Sequence, residues 1–189
     1  MSTTNSEFQL GGVNHVALVC KDMARTVDFY TNVLGMPLIK TLEIPGGAQH
    51  FFFDCGNGDS VAFFWFPNAP EAVPGISGAA QMPGRGEIVS AHGSMNHLAF
   101  DVPADKFDEY VEKLRAKGVE LGAVLNHDDS ERTIAAEMHD GVFVRSVYFS
   151  DPDGIVLEFA CWTKIFGPDD ARHAPAQADG NRATLTPAG

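Results

Sequence analysis

An α+β fold made of two βαβββ modules is what this chain predicts, and three observations carry the prediction. The segments Val13-Asn14-His15-Val16-Ala17-Leu18 and Met95-Asn96-His97-Leu98-Ala99-Phe100 match at a constant offset of 82 residues. Each is followed by one amphipathic helical stretch that stops at a glycine, Gly35 and Gly118. Each helix is followed by short strand-like runs broken by turn residues. Self-similarity at a fixed spacing is the mark of a duplicated structural unit.

The elements follow in order. Residues 1–10 are polar and expected to be flexible. The run VNHVALVC is short, apolar and bounded by Gly11-Gly12, which suits a buried strand. Met23, Val27, Tyr30 and Leu34 recur at helical spacing, with Asp22 as N-cap and Gly35 as stop. Three strands are expected at 37–44, 49–55 and 60–66, with Gly56-Asn57-Gly58 as a hairpin turn. This completes a first module of about residues 11–67.

Residues 68–93 are rich in Pro, Gly and Ala and too long for a plain connection, so they are either a linker or a loop lying over a site. The second module, about 94–167, repeats the pattern. Its helix is expected at 105–117 with Phe107, Tyr110, Val111 and Leu114 on the apolar face, and its strands at 119–125, 142–150 and 155–162. Residues 11–167 thus read as a single domain, and 168–189 as a tail of low apolar content that packs weakly.

Composition narrows the function. With 25 acidic against 13 basic residues the net charge is −12, which repels phosphate backbones and disfavours nucleic-acid binding. Cys20, Cys55 and Cys161 are far apart and lie in no CxxC spacing, so reduced thiols in a cytoplasmic protein are expected. The polar stretch MSTTNSEFQLGG does not resemble a secretory signal, so none is expected, and no run approaches the ~20 apolar residues of a membrane helix.

Candidate chemistry centres on residues 139–158, HDGVFVRSVYFSDPDGIVLE. Glu158 sits between Leu157 and Phe159 in an apolar strand, and a buried carboxylate needs a partner. His15 and His97 hold the same position in the two repeats, so a pseudo-twofold would bring them to matching places on the sheet. Two His and one carboxylate suit a non-haem iron(II) site with open positions. Taken alone, either histidine reads as a core residue, and Glu158 has Arg145 as an alternative partner. The repeated N-H-x-A context favours the metal.

The paired NHxA strands, the helix end Phe29-Tyr30 to Leu34-Gly35 and the closing DPDGxxLE make residues 11–166 resemble the vicinal oxygen chelate superfamily, with its glyoxalase, bleomycin-resistance and extradiol dioxygenase folds. The resemblance implies a cupped mixed sheet around a divalent metal. His139, Tyr148, Pro152, Gly154 and Glu158 further resemble the signature of one-domain type I extradiol (catechol 2,3-type) dioxygenases, Glu137 being atypical. It implies His15, His97 and Glu158 as ligands of iron(II), with manganese(II) as the alternative. It also implies His139 and Tyr148 beside an aromatic diol and O2, and a homo-oligomer.

One position departs from that pattern. The family's acid/base histidine would fall at Met82 or Pro83, so His92, His50 or His139 is expected to take the role. Phe51, Phe53, Phe64 and Trp65 are expected to wall the ring. A glyoxalase-type lyase would need a carboxylate opposite Glu158 in the first repeat, where Val61 or Ala62 stands, with Ser60 the nearest polar group. An epimerase could draw on Gln49 or His50. A non-catalytic protein that binds an aromatic antibiotic would lack the triad.

Overall fold

The computed structural model describes residues 7–183. Residues 1–6 and 184–189, the outer parts of the N-terminal stretch expected to be flexible and of the expected tail, lie outside the described residues. Module one runs β1 (His15–Cys20), α1 (Met23–Asp28) continued by a π-helical turn over Phe29–Val33, then β2 (Leu38–Ile44), β3 (Ala48–Gly56) and β4 (Asp59–Trp65). Module two runs β5 (Leu98–Asp101), α2 (Phe107–Ala116), β6 (Leu125–His127), β7 (Ile134–Ala135), β8 (Val144–Ser150) and β9 (Val156–Trp162).

The duplication is visible in the topology. Module one forms a four-stranded sheet in the order β1-β4-β3-β2, and module two a five-stranded sheet in the order β5-β9-β8-β6-β7. In each the first strand is an edge, paired in parallel with the last strand of its own module, and the remaining pairs are antiparallel. The α+β class with mixed sheets is therefore as expected. Two details differ. Residues 119–124 carry only an isolated bridge from Leu121 to Phe149, and the polar stretch after β6 forms a β6–β7 hairpin. Gly122 donates to the Tyr148 carbonyl, so that segment tracks β8 without building a ladder.

The helices end as their sequences direct. The Asp22 carboxylate caps α1 by accepting from the Arg25 backbone N–H at 3.1 Å. Gly35 and Gly118 adopt φ of +76° and +79°, a left-handed conformation that costs glycine nothing and stops each helix.

What sets the position of the functional faces is the core. One cluster joins Tyr30, Phe53, Val61 and Phe63 of module one to Leu114, Phe149 and Leu157 of module two. The two modules thus bury their helix-side faces against each other. Around the β8–β9 turn, the Tyr30 hydroxyl approaches Asp151, Lys21 N–H donates to Asp153, and the Lys117 ammonium donates to the carbonyls of Asn32 and Val33.

Asp151 is buried, and its carboxyl is pushed up to about 6, burial being the largest cause, against backbone N–H donation from Ile155 and Asp153. The folded form therefore holds this proton more tightly than the unfolded chain, so stability from this group falls as pH rises from about 4 to about 6. A shift of this size is worth about 3 kcal/mol. Asp151→Asn keeps the acceptor for both N–H groups and should remove that dependence. Urea midpoints at pH 4.5 and 7 should show wild type losing ground to the variant as pH rises; parallel curves would refute it.

Candidate metal centre and its two half-sites

Side chains alternate across a strand, so residues flanking the core positions point away from it. In module two this outer face presents His97, Ser146, Tyr148 and Glu158. In module one it presents His15, His50, Phe52, Ala62 and Phe64. Register fixes the correspondence. Ala99 pairs with Glu158 and Ala17 with Ala62, so Ala62, and not Val61, is the counterpart of Glu158. Tyr148 opposite Glu158 corresponds to Phe52 opposite Ala62, and Ser146 opposite Ala160 corresponds to His50 opposite Phe64.

The module-two half is assembled around Glu158, which is 5% exposed. His97 Nε2 lies 3.1 Å from Oε2, the Ser146 hydroxyl donates to Oε1, and the Tyr148 ring meets the His97 ring edge-on at 5.6 Å. Burial alone would push the Glu158 carboxyl up, but hydrogen bonds from His97, Ser146 and Tyr148 outweigh it and hold the group below the usual carboxylate range. It is therefore an anion at neutral pH. The Tyr148 phenol is pushed up to about 12, chiefly by burial and then by the charge of Glu158, and stays a donor.

An asparagine precedes each histidine and acts on it in the same way. Asn14 Oδ1 lies 2.7 Å from His15 Nδ1, and Asn96 Oδ1 lies 2.9 Å from His97 Nδ1. An amide oxygen only accepts, so in both rings Nδ1 carries the proton and Nε2 is the nitrogen left for another partner. A neutral His97 would then turn a lone pair toward an anionic carboxylate. That contact is favourable only with a second proton on Nε2 or with a cation between the two groups. Orientation of a ligating imidazole through its other N–H is also how metal sites fix their histidines.

Within one chain the three expected ligands, His15, His97 and Glu158, do not come together. His15 lies against Phe52 on the outer face of module one, ring centroids 5.6 Å apart. Among the described residues no three His, Cys, Asp or Glu side chains form a group able to hold a metal ion. The reason is the core: the faces that bear the histidines are those the two modules do not bury against each other.

The other site residues also have definite places. His139 donates from Nε2 to Asp128 at 3.2 Å and accepts from the Gly141 N–H at Nδ1, so both nitrogens are engaged in a polar loop. His92 is exposed in the 68–93 segment. That segment lies over module two: Met82 packs with Leu125, Tyr148 and Val156, and Asn96 donates to the Ile88 carbonyl. Met82, the position where a family acid/base histidine would fall, is thus beside Tyr148 but cannot move a proton. Arg145 is not Glu158's partner; it lies over Phe107 and pairs with Asp108 at 2.9 Å. Of the expected aromatic wall, Phe51, Phe53 and Trp65 pack on the core side, while Phe64 and the unforeseen Phe52 face outward. Ser146 was missed as well, although its place two residues before Tyr148 puts it on the same face.

A duplicated chelate fold with a histidine–carboxylate pair on one outer face defines a class, and comparison with known proteins agrees. Residues 12–159 match the model of the Glyoxalase/Bleomycin resistance protein/Dioxygenase superfamily, and the chain belongs to that family. It is 28% identical over 162 residues to the protein named "Putative ring-cleaving dioxygenase MhqE" of Bacillus subtilis (strain 168); the match covers 79% of this chain but only 47% of MhqE, so the chain spans about half the length of that relative. It is also 28% identical over 148 residues to the metallothiol transferase FosB of Lysinibacillus sphaericus (strain C3-41), covering 78% and 79% of the two chains. Among solved structures, the fosfomycin resistance protein FosX of Listeria monocytogenes, in a form complexed with Mn(II) and 1S,2S-dihydroxypropylphosphonic acid, aligns with a TM-score of 0.50 at 22% identity, over 80% of this chain and 92% of that one. Among the described residues no helix is long and apolar enough to cross a membrane.

Proposed function

We propose that this protein is an iron(II)-dependent extradiol dioxygenase whose metal site joins His15 of one copy of the chain to His97 and Glu158 of a second copy. The observation that carries the metal is the buried, anionic Glu158 with His97 Nε2 3.1 Å from its Oε2. The second copy is argued from incompleteness. The third donor is prepared identically by Asn14 yet faces elsewhere, and both β1, which carries His15, and β5, which begins directly after His97, are sheet edges with exposed Ala17, Val19 and Ala99. Unpaired edges are normally covered or blunted, and a twofold pairing of copies would cover these. Homo-oligomerisation thus becomes part of the site.

When bound, iron(II), or manganese(II) in its place, would act as Lewis acid and template for a catechol and O2. The protein's own part is to orient both imidazoles through Asn14 and Asn96, to keep Glu158 ionised, and to hold a protonated Tyr148 beside the ligands as a hydrogen-bond donor to a substrate oxygen. Phe52 and Phe64 offer a flat apolar wall for an aromatic ring. Ala62 leaves no fourth carboxylate, which weakens the glyoxalase alternative. FosB and FosX raise a phosphonate substrate as a rival. However, strands β1, β3, β4, β5, β8 and β9 hold one Lys or Arg, Arg145, and it is paired with Asp108 on the far face. A dianionic substrate has no free Lys or Arg to meet on these strands.

Anaerobic reconstitution with iron(II), followed by a panel of catechols in air, should give a yellow ring-fission product. Stoichiometric iron with no yellow product from any catechol would move the reading to a lyase or isomerase. Tyr148→Phe should keep its metal and lower kcat by roughly 100-fold; metal loss in that variant would overturn its assigned place.

A further inference from the structure

We infer that a second ligand site, separate from the candidate metal centre, lies at the far end of the outer face of module one and takes an uncharged, flat aromatic molecule. It concerns binding by one chain, needs no cation, and stands apart from the extradiol reading.

Val19 shares the outer face of β1 with His15 and stands four residues further on, so a strand rise of roughly 3.3 Å per residue sets the two about 13 Å apart. There the face ends in a cavity of about 590 Å³, a size that suits a small organic ligand. Val19 and the buried Ala48 reach it from the sheet, while Pro45 of the β2–β3 turn and Pro67 and Pro70 of the segment after β4 also line it. Proline has a fixed φ, so these walls have little conformational freedom left to lose on binding. Phe66, 40% exposed, supplies the aromatic surface. Its ring lies within 9° of parallel to Phe64, centroids 5.4 Å apart, and Phe64 in turn stacks on His50 at 3.6 Å. A flat ring entering the cavity extends this series of parallel rings by one, and it covers apolar surface that Phe66 and the exposed Val19 leave to water.

Charge decides the class of ligand. Among the described residues that line the cavity none is charged, and Asn68 alone has a polar side chain. An anion would meet the net charge of −12 with no lining cation to bind it. A cation would give up its hydration for one aromatic ring and no carboxylate. A neutral ring system loses little on leaving water. The Asn68 amide, which both donates and accepts, can pair with one hydroxyl, carbonyl or amine on it.

The test titrates N-phenylnaphthylamine, an uncharged probe whose emission rises in apolar surroundings, into the full chain stripped of metal by a chelator. Anilinonaphthalene sulfonate, the same ring system made anionic, is titrated beside it. Wild type should bind the neutral probe at one site per chain and the anionic probe roughly 10-fold or more weakly. Phe66→Ala removes the stacking ring and Ala69→Trp fills the cavity from its loop; each should weaken the neutral probe roughly 10-fold or more. Trp162→Ala, which takes an exposed aromatic from module two, should leave that affinity unchanged. Equal binding of both probes, or neutral-probe binding that survives both cavity variants in folded protein, would overturn the proposal. If wild type does not take up the neutral probe the site is refuted, and an altered elution volume of the cavity variants on size exclusion would then assign the cavity to a second copy.

Discussion

Glu158→Ala is expected to abolish metal retention, lowering affinity for iron(II) by more than ~100-fold. Loss of an outer partner of a ligand typically costs 10–100-fold, and here a ligand itself is removed. The carboxylate is buried, ionised, and the sole acid in the His97 half-site, so no nearby group can substitute. The apo protein should not show the marked destabilisation of a simple core mutation. Removing Glu158 strands the Ser146 hydroxyl and His97 Nε2, at a cost of about 1–3 kcal/mol, but also removes a buried charge whose desolvation opposes folding. Apo stability should therefore change little while iron content, read by metal analysis after desalting, falls to background. Undiminished iron in the variant would remove Glu158 from the metal site.

Much of the architecture was legible because duplication and alternation are strong signals. The repeated N-H-x-A strands located both modules, and the polar-to-apolar rhythm of VYFSDPDGIVLEF placed Glu158 with Tyr148 on one face. The third strand of module two was misplaced because Val119 to Leu125 has strand-like composition, whereas the ladder to β8 begins at Leu125. Pattern reports burial, but it does not report which neighbour supplies the hydrogen bonds.

The candidate site was legible residue by residue and not as a whole. Asn14 and Asn96 stood in the repeat, yet their effect on the imidazoles needs the 2.7 and 2.9 Å contacts. Phe51 and Phe53 read in the sequence as a substrate wall because every residue of Phe51-Phe52-Phe53 is aromatic, and only the strand's phase shows that Phe52 is the outward one. The largest difference, His15 standing apart from His97 and Glu158, lies beyond any single-chain pattern. Periodicity assigns each module an apolar face, but not whether those faces pack on each other or outward.

That difference yields the second large effect. If each site draws His15 from one copy and Glu158 from its partner, then His15→Ala and Glu158→Ala homo-oligomers are both inactive, with every site damaged. In a mixed dimer one site carries both defects and the other carries neither. After unfolding and refolding equal amounts together, random pairing makes half the dimers mixed and restores half their sites, so about a quarter of wild-type metal binding and turnover should return. Sites confined to one chain predict no recovery, because each chain would keep its own defect. A refolded mixture that stays inactive, alongside a wild-type control that regains activity, would show that His15 and Glu158 do not share a cation across copies.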